Sequence, residues 1–219
     1  ATLNSLYAGG AGDEEESEYS LLGSLKAALA TIPANLADID PGRNRDLPLV
    51  PQVIGKSAPE LRTLLLAIRG LGYARADLNA GCPWPMIVKK GRGAGLLRDA
   101  DALRRMLEVG CDILPGGFSV KVRLGIDAPG LLLERIEIIN AFPLREVTIH
   151  ARTARQRYAG HVDLTAFAQA LAACRHPVRY NGDIRTAADL ARMQAGFPAV
   201  AGWMIGRGAV MDPFLPASL

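Results

Sequence analysis

Leu49-Val50-Pro51-Gln52-Val53-Ile54 is a short apolar run closed by Gly55, and Ser57-Ala58-Pro59-Glu60 follows directly. The first reads as a buried strand. The second reads as a capping box with proline early in the first turn, two agreeing helix starts. Leu61, Leu64, Leu65, Ile68 and Leu71 then recur at helical spacing, one apolar stripe for packing on a sheet, until Gly70 and Gly72 stop it. Ala76-Asp77-Leu78 begins the next strand. Strand, helix and strand in this order form a unit with parallel strands.

The alternation continues downstream. Residues 119–124, 146–150, 178–181 and 203–205 read as further buried strands, short and mostly rich in Val and Ile. Residues 99–109 read as a helix with Leu103, Met106 and Leu107 on one face, ending at Gly110. Residues 131–140 place Leu132, Ile136 and Ile139 on one face, and Thr186 caps another helix. The fold class is α/β, a TIM (β/α)8-type barrel with six clear strand–helix units, whereas a closed barrel has eight. The barrel is expected over 48–219. Residues 1–47 form an N-terminal helical and loop segment, with a helix candidate at 19–30, a loop at 33–48 and no convincing strand.

Composition is that of a globular protein, 49% apolar and 21% charged over 219 residues. No apolar run approaches the ~20 residues that span a bilayer, and residues 1–12 do not pattern as a signal peptide. Cys82, Cys111 and Cys174 are odd in number and widely spaced, which fits a reducing cytoplasm better than a disulfide framework. Net charge is +3, compatible with a polyanionic partner without demanding one. His161 and His176 have no metal-ligand spacing and CxxC is absent, so no metal is expected.

In a parallel barrel the chemistry sits at the carboxyl ends of the strands. Here those ends carry Gln52, Asn79 with Cys82, Lys121 with Arg123, His150 with Arg152, Asn181 with Asp183, and Gly206 with Arg207. A polar or reactive group at every strand end is the pattern of an enzyme. Gly182 and Gly206 follow the last two strands, where barrels commonly bind phosphate. There they either let backbone amides approach an anion or simply make tight turns.

Cys82 stands in a Gly-Cys-Pro turn directly after a strand. A thiol of ordinary pKa, about 8.5, is protonated at neutral pH and can serve as a general acid. Nearby cations can instead make it a thiolate, or it can be a small buried apolar group. Lys121 lies within a strand, and an inward lysine is costly unless an anionic or electron-rich group meets it. A flavin ring is such a group, because a cation near its N1–C2 carbonyl edge stabilises the reduced form; a strand-end ion pair is another. His150 can hydrogen-bond a ring or a phosphate, or serve structure alone.

Taken together, Asp77-Leu78-Asn79-Ala80-Gly81-Cys82-Pro83, Gly93-Ala94-Gly95-Leu96-Leu97, Val120-Lys121-Val122-Arg123-Leu124-Gly125, Ile149-His150-Ala151-Arg152-Thr153, Gln156 with Tyr158 and Gly160, Asn181-Gly182-Asp183-Ile184 and Met204-Ile205-Gly206-Arg207-Gly208-Ala209 resemble the tRNA-dihydrouridine synthase family. The runs occur in family order over about 48–214. The resemblance implies a TIM barrel that binds FMN and is reduced by NADPH. It implies that Gln52, Lys121, His150, Asn181, Gly182, Asp183, Gly206 and Arg207 contact the flavin, the last few at its phosphate. It implies Cys82 as the acid protonating C5 of uracil while hydride passes to C6, with Asn79, Arg123 and Arg152 toward the substrate. Lys89, Lys90, Arg92, Arg155 and Arg157 become candidates for tRNA phosphates. The sequence lacks the Met-Ala-Pro-Met-like run with which the family opens, and one further strand. It stops at Leu219, where the family usually continues into a helical tRNA-binding domain.

Two other readings are open to the sequence. One is an FMN-binding barrel oxidoreductase acting on a small molecule, which salt-sensitive tRNA binding would separate from the first. The other is a non-catalytic remnant binding RNA or a protein, which would purify without flavin colour.

Overall fold

A computed structural model of the chain describes residues 2–4 and 37–218. The helix expected at 19–30 lies outside them, as does part of the loop expected at 33–48. Seven strands form one sheet: β1 (Thr2–Asn4), β2 (Gln52–Ile54), β3 (Ala76–Ala80), β4 (Phe118–Gly125), β5 (Val147–Thr153), β6 (Val178–Asn181) and β7 (Gly202–Met204). They pair in chain order, all parallel. Helix α1 (Ala58–Gly70) follows β2, and α2 (Pro85–Lys89) and α3 (Ala100–Ile113) follow β3. Then come α4 (Leu131–Asn140), α5 (Leu164–Ala173), α6 (Ala187–Gly196), α7 (Arg207–Met211) and α8 (Leu215–Ser218). Sequential parallel strands with a helix after each from β2 onward are the plan of a (β/α)8 barrel. Among the described residues the order is open, with β1 and β7 at its two ends.

The expectation of no strand before residue 48 is corrected by β1. Thr2, Leu3 and Asn4 pair in register with Gln52, Val53 and Ile54. Three residues are too few to display the periodicity by which a strand is read.

The core forms where helix stripes meet the sheet. Leu61, Leu64, Leu65 and Ile68 of α1 are fully buried, as are Leu78, Val120, Val122, Val147 and Ile149 of the strands. Each such side chain contributes on the order of 2 kcal/mol. β5 is buried at every position, including Thr148, His150, Arg152 and Thr153, as expected of a strand covered on both faces. Its register against β4 shifts between Arg123 and Gly125: Arg123 pairs with His150, but Gly125 pairs with Thr153, leaving one extra residue on β5.

Two local readings change. Gly110 does not end its helix, since α3 runs on to Ile113. A Cβ at 110 would lie 2.0 Å from the Phe118 ring, so this glycine serves close helix–sheet contact. Ser57 makes no side-chain cap bond. Glu60 instead accepts from the Lys56 amide (3.0 Å) and from Arg92 (2.6 Å). Capping boxes do form elsewhere, at Thr186 with Asp189.

Candidate active site

The carboxyl ends of the strands surround a cavity of about 480 Å3. Gln52, Asn79, Cys82, Lys121, Arg123, His150, Asn181, Gly182, Asp183, Gly206 and Arg207 all line it. The size is in the range of small-molecule and cofactor pockets.

Its floor is an amide–carboxyl chain. Ser119 Oγ donates to Asp77 Oδ1 (2.7 Å) and Gln52 Nε2 to Asp77 Oδ2 (2.7 Å). Asn79 Nδ2 donates to Gln52 Oε1 (2.9 Å). Asn79 Oδ1 accepts from the amides of Gly81 (3.1 Å) and Cys82 (2.8 Å). Burial pushes the Asp77 carboxyl above its ordinary value, opposed by its bonds to Ser119 and Gln52 and by the Lys121 charge. The Lys121 amine is pushed down to about 8, first by burial and then by Arg123, against the pull of Asp77 and Cys82. His150 is held down to about 2 by burial and by Arg123, Lys121, Arg152 and Arg207. Its imidazole is therefore neutral at physiological pH, a hydrogen-bonding group and not a charge.

The Cys82 turn is gripped along its backbone. Besides the Asn79 bond, the Cys82 carbonyl accepts from the Ala94 amide (3.0 Å). Gly93 adopts φ +54°, and a Cβ there would lie 2.7 Å from both Cys82 Cβ and the Cys82 carbonyl. This is why the Gly-Ala-Gly run accompanies the cysteine: the neighbouring chain must pass without a side chain. Arg123 closes the grip. Its Nε donates to the Gly81 carbonyl (2.8 Å), and its Nη1 to the carbonyls of Thr153 (2.9 Å) and Arg157 (2.8 Å). Arg123 is 2% exposed, and burial lowers its pKa to about 10.

At the opposite end Asn181 Nδ2 donates to the Met204 carbonyl (2.9 Å). Asp183, at φ +42°, accepts from Arg152 (2.5 Å) and Arg207 (2.7 Å). Burial alone would raise its carboxyl, but the Arg152 bond and the charges of Arg152, Arg207 and Arg185 outweigh that and hold it low. A Cβ on Gly206 would meet nothing within 4 Å, so the backbone there stands open for close approach by a ligand.

The family model described as dihydrouridine synthase (Dus) matches residues 31–218. The chain belongs to the dihydrouridine synthase family. It is 35% identical over 176 residues to the probable tRNA-dihydrouridine synthase of Rhodobacter capsulatus, covering 79% of this chain and 53% of that one. It is 33% identical over 170 residues to the tRNA-dihydrouridine(16) synthase of Cupriavidus necator, covering 77% and 52%. The chain thus spans about half the length of these curated relatives. Similar solved structures include a morphinone reductase variant in complex with tetrahydroNAD (TM-score 0.55, 9% identity, 73% of this chain and 47% of that one). Another is an NCR variant from Zymomonas mobilis (TM-score 0.53, 11% identity, 77% and 59%). At such identities the likeness is one of fold.

Three arginines read toward substrate or tRNA are engaged by other protein groups. Arg152 does not line the cavity. It is 1% exposed, and its guanidinium is spent on Asp183 and the carbonyls of Ala159 (3.3 Å) and Gly160 (2.7 Å). It stands behind Arg207 instead of facing a substrate. Arg92 is paired with Glu60 beneath the surface. Arg155 is taken by Asp127 (2.7 Å), whereas Lys89, Lys90 and Arg157 are exposed. The sequence reading missed Trp84 and Tyr158 as walls of the cavity. Tyr158 lies under the guanidinium groups of Arg207 (4.8 Å) and Arg123 (5.5 Å). Trp84 follows Cys82-Pro83 directly, the one hint available for it. Among the described residues, no group of three or more His, Cys, Asp or Glu gathers at metal-ligand distance, and no helix is long and apolar enough to cross a membrane.

Proposed function

We propose that this chain carries the catalytic barrel of an enzyme that reduces uridine to 5,6-dihydrouridine in tRNA. The observation that carries the reading is the thiol of Cys82, held on a gripped turn at the wall of a cavity that also presents Lys121, neutral His150 and the Gly206–Arg207 backbone. The cavity fits FMN. Lys121 offers a cation with no ion-pair partner among the described residues, Gln52 and Asn79 offer amides, and Gly206 with Arg207 offers open backbone beside a guanidinium. When bound, FMN, reduced by NADPH, supplies the hydride to uracil C6.

The remaining chemistry belongs to the chain. Cys82 gives a proton to C5 of the uracil, the task of a general acid. Asn79, which fixes the Cys82 amide, also sets where that proton is delivered. Lys121 at the ring edge balances negative charge in a site where burial strengthens electrostatic effects. The Asp183–Arg152 pair orients Arg207 toward the phosphate, so Asp183 acts on the anion through the arginine. A uridine in folded tRNA must leave its stack to enter. Exposed Lys89, Lys90 and Arg157 supply phosphate contacts that weaken with salt. Three free thiols suit a cytoplasmic protein.

The visible spectrum of the purified protein tests the cofactor: flavin absorbance is expected. Cys82→Ala should keep the flavin and NADPH oxidation and lose dihydrouridine formation by about 100-fold. Undiminished product from this variant would sink the acid role.

A further inference from the structure

Trp84 is 58% exposed, and it is both a wall of the cavity and the residue two past Cys82. An indole with that much surface in water contributes little to a core, yet its position is tightly specified. Arg157 lies with its guanidinium carbon 5.5 Å from the centre of the indole ring. Its backbone is left-handed, φ +50°, a conformation uncommon for a non-glycine residue. Arg123 Nη1 binds the Arg157 carbonyl, while Arg123 Nε binds the Gly81 carbonyl one residue before Cys82. One buried guanidinium therefore fixes both loops, indexing the Trp84–Arg157 pair to the thiol.

Among the described residues Arg157 has no carboxylate partner, whereas neighbouring Arg155 is neutralised by Asp127. Exposed Lys89 and Lys90 end the short helix that begins just after Trp84. A flat aromatic face beside unneutralised cations is the pattern that binds single-stranded nucleic acid, with bases stacking on the ring and phosphates meeting the cations.

We infer that Trp84 and Arg157 form a stacking platform at the cavity mouth for the nucleotide adjacent to the target uridine. The base lies on the indole and Arg157 meets its phosphate, so that the strand carrying the uridine is held at the cavity mouth. This rests on the tRNA reading above. It adds an RNA-binding role for Trp84 and Arg157, to which the proton and hydride chemistry gave no task.

The chain has two tryptophans. The other, Trp203, is half-buried on β7 against Tyr180 (5.9 Å). In a Trp203→Phe background Trp84 is the sole indole reporter. Titration with an unmodified tRNA transcript should quench its emission, with binding followed in parallel by gel mobility. In the native background Trp84→Ala should raise KM for tRNA about tenfold and leave kcat within twofold. Trp84→Phe should recover most of the KM. Bound tRNA with unaltered Trp84 emission would overturn the platform while leaving the tRNA reading intact. Absence of tRNA binding at low salt would overturn the tRNA reading and the platform with it. A fall in kcat at constant KM would also overturn it.

Discussion

At Cys82 the chain is clamped by an asparagine, a neighbouring amide, a glycine in contact and a buried arginine, whereas at Gly206 a Cβ would touch nothing. Both lie at strand ends around one cavity, and both are signalled by glycine. The glycines do opposite things. Gly93 allows two stretches of protein to approach each other, and Gly206 keeps a stretch of protein away from space that a ligand can use. The difference follows from what each end handles. A proton donor has to be placed within a fraction of an ångström, while an anion site needs reachable amides and a cation.

The contrast can be broken most severely through Arg123. Arg123→Met would take the donor from the carbonyls of buried Gly81 and Thr153 and from that of Arg157, at a cost of about 3 kcal/mol in total. For a chain this long that lowers Tm by roughly 10 °C, read by calorimetry. A fall of less than 2 °C would mean the clamp is looser than its geometry. Gly93→Ala attacks the cysteine side alone. Added at φ +54° against Cys82, the methyl should cost about 100-fold in kcat for dihydrouridine formation, with flavin content retained. Gly206→Ala is the mirror experiment. Its methyl meets no protein atom, so the Tm of the flavin-free protein should stay within about 0.5 kcal/mol equivalent of wild type, while the Kd for FMN rises about tenfold. Loss of stability without loss of affinity would erase the distinction between the two ends.

The smallest effect concerns Lys121 and pH. Its folded pKa, about 8, lies below the ordinary lysine value of 10.5. Between those values the unfolded chain binds more protons than the folded one, so this group makes stability rise with pH across that window. Lys121→Met should therefore raise the Tm of the flavin-free protein at pH 7, and the advantage should shrink as pH rises from 8 to 10.5. With FMN bound the sign at pH 7 should reverse, because the cation then has a partner. Thermal shifts with and without FMN check both halves.

Much of this site was legible in the sequence because barrel chemistry concentrates at strand ends, and β2 to β7 announce themselves by apolar runs. Gln52, Asn79, Lys121, His150 and Arg207 then follow by position. What escaped the sequence has physical reasons. β1 is too short for a period. Ser57 and Glu60 have capping-box spacing, but Glu60 finds Arg92, 32 residues later in the chain, a better partner than a serine amide. Arg152 looks like Arg123 in its motif, yet its partners come from the turn at 159–160 and from the loop at 183. Such partners are set by tertiary contact and have no local sign.

The extra residue on β5, between His150 and Thr153, has a consequence for how such chains diverge. A bulge sets the direction of the residues inside it, so removing that one residue would re-aim the arginine while Thr153 kept its register with Gly125. A deletion of the codon for Ala151 would leave the histidine, the arginine and the threonine still in order in the gene. It would nonetheless swing the arginine away from Asp183 and leave Arg207 without its brace. A copy with that deletion would still be recognisable as kin while its anion site had come apart, so the spacing within the motif is inherited information as much as its letters.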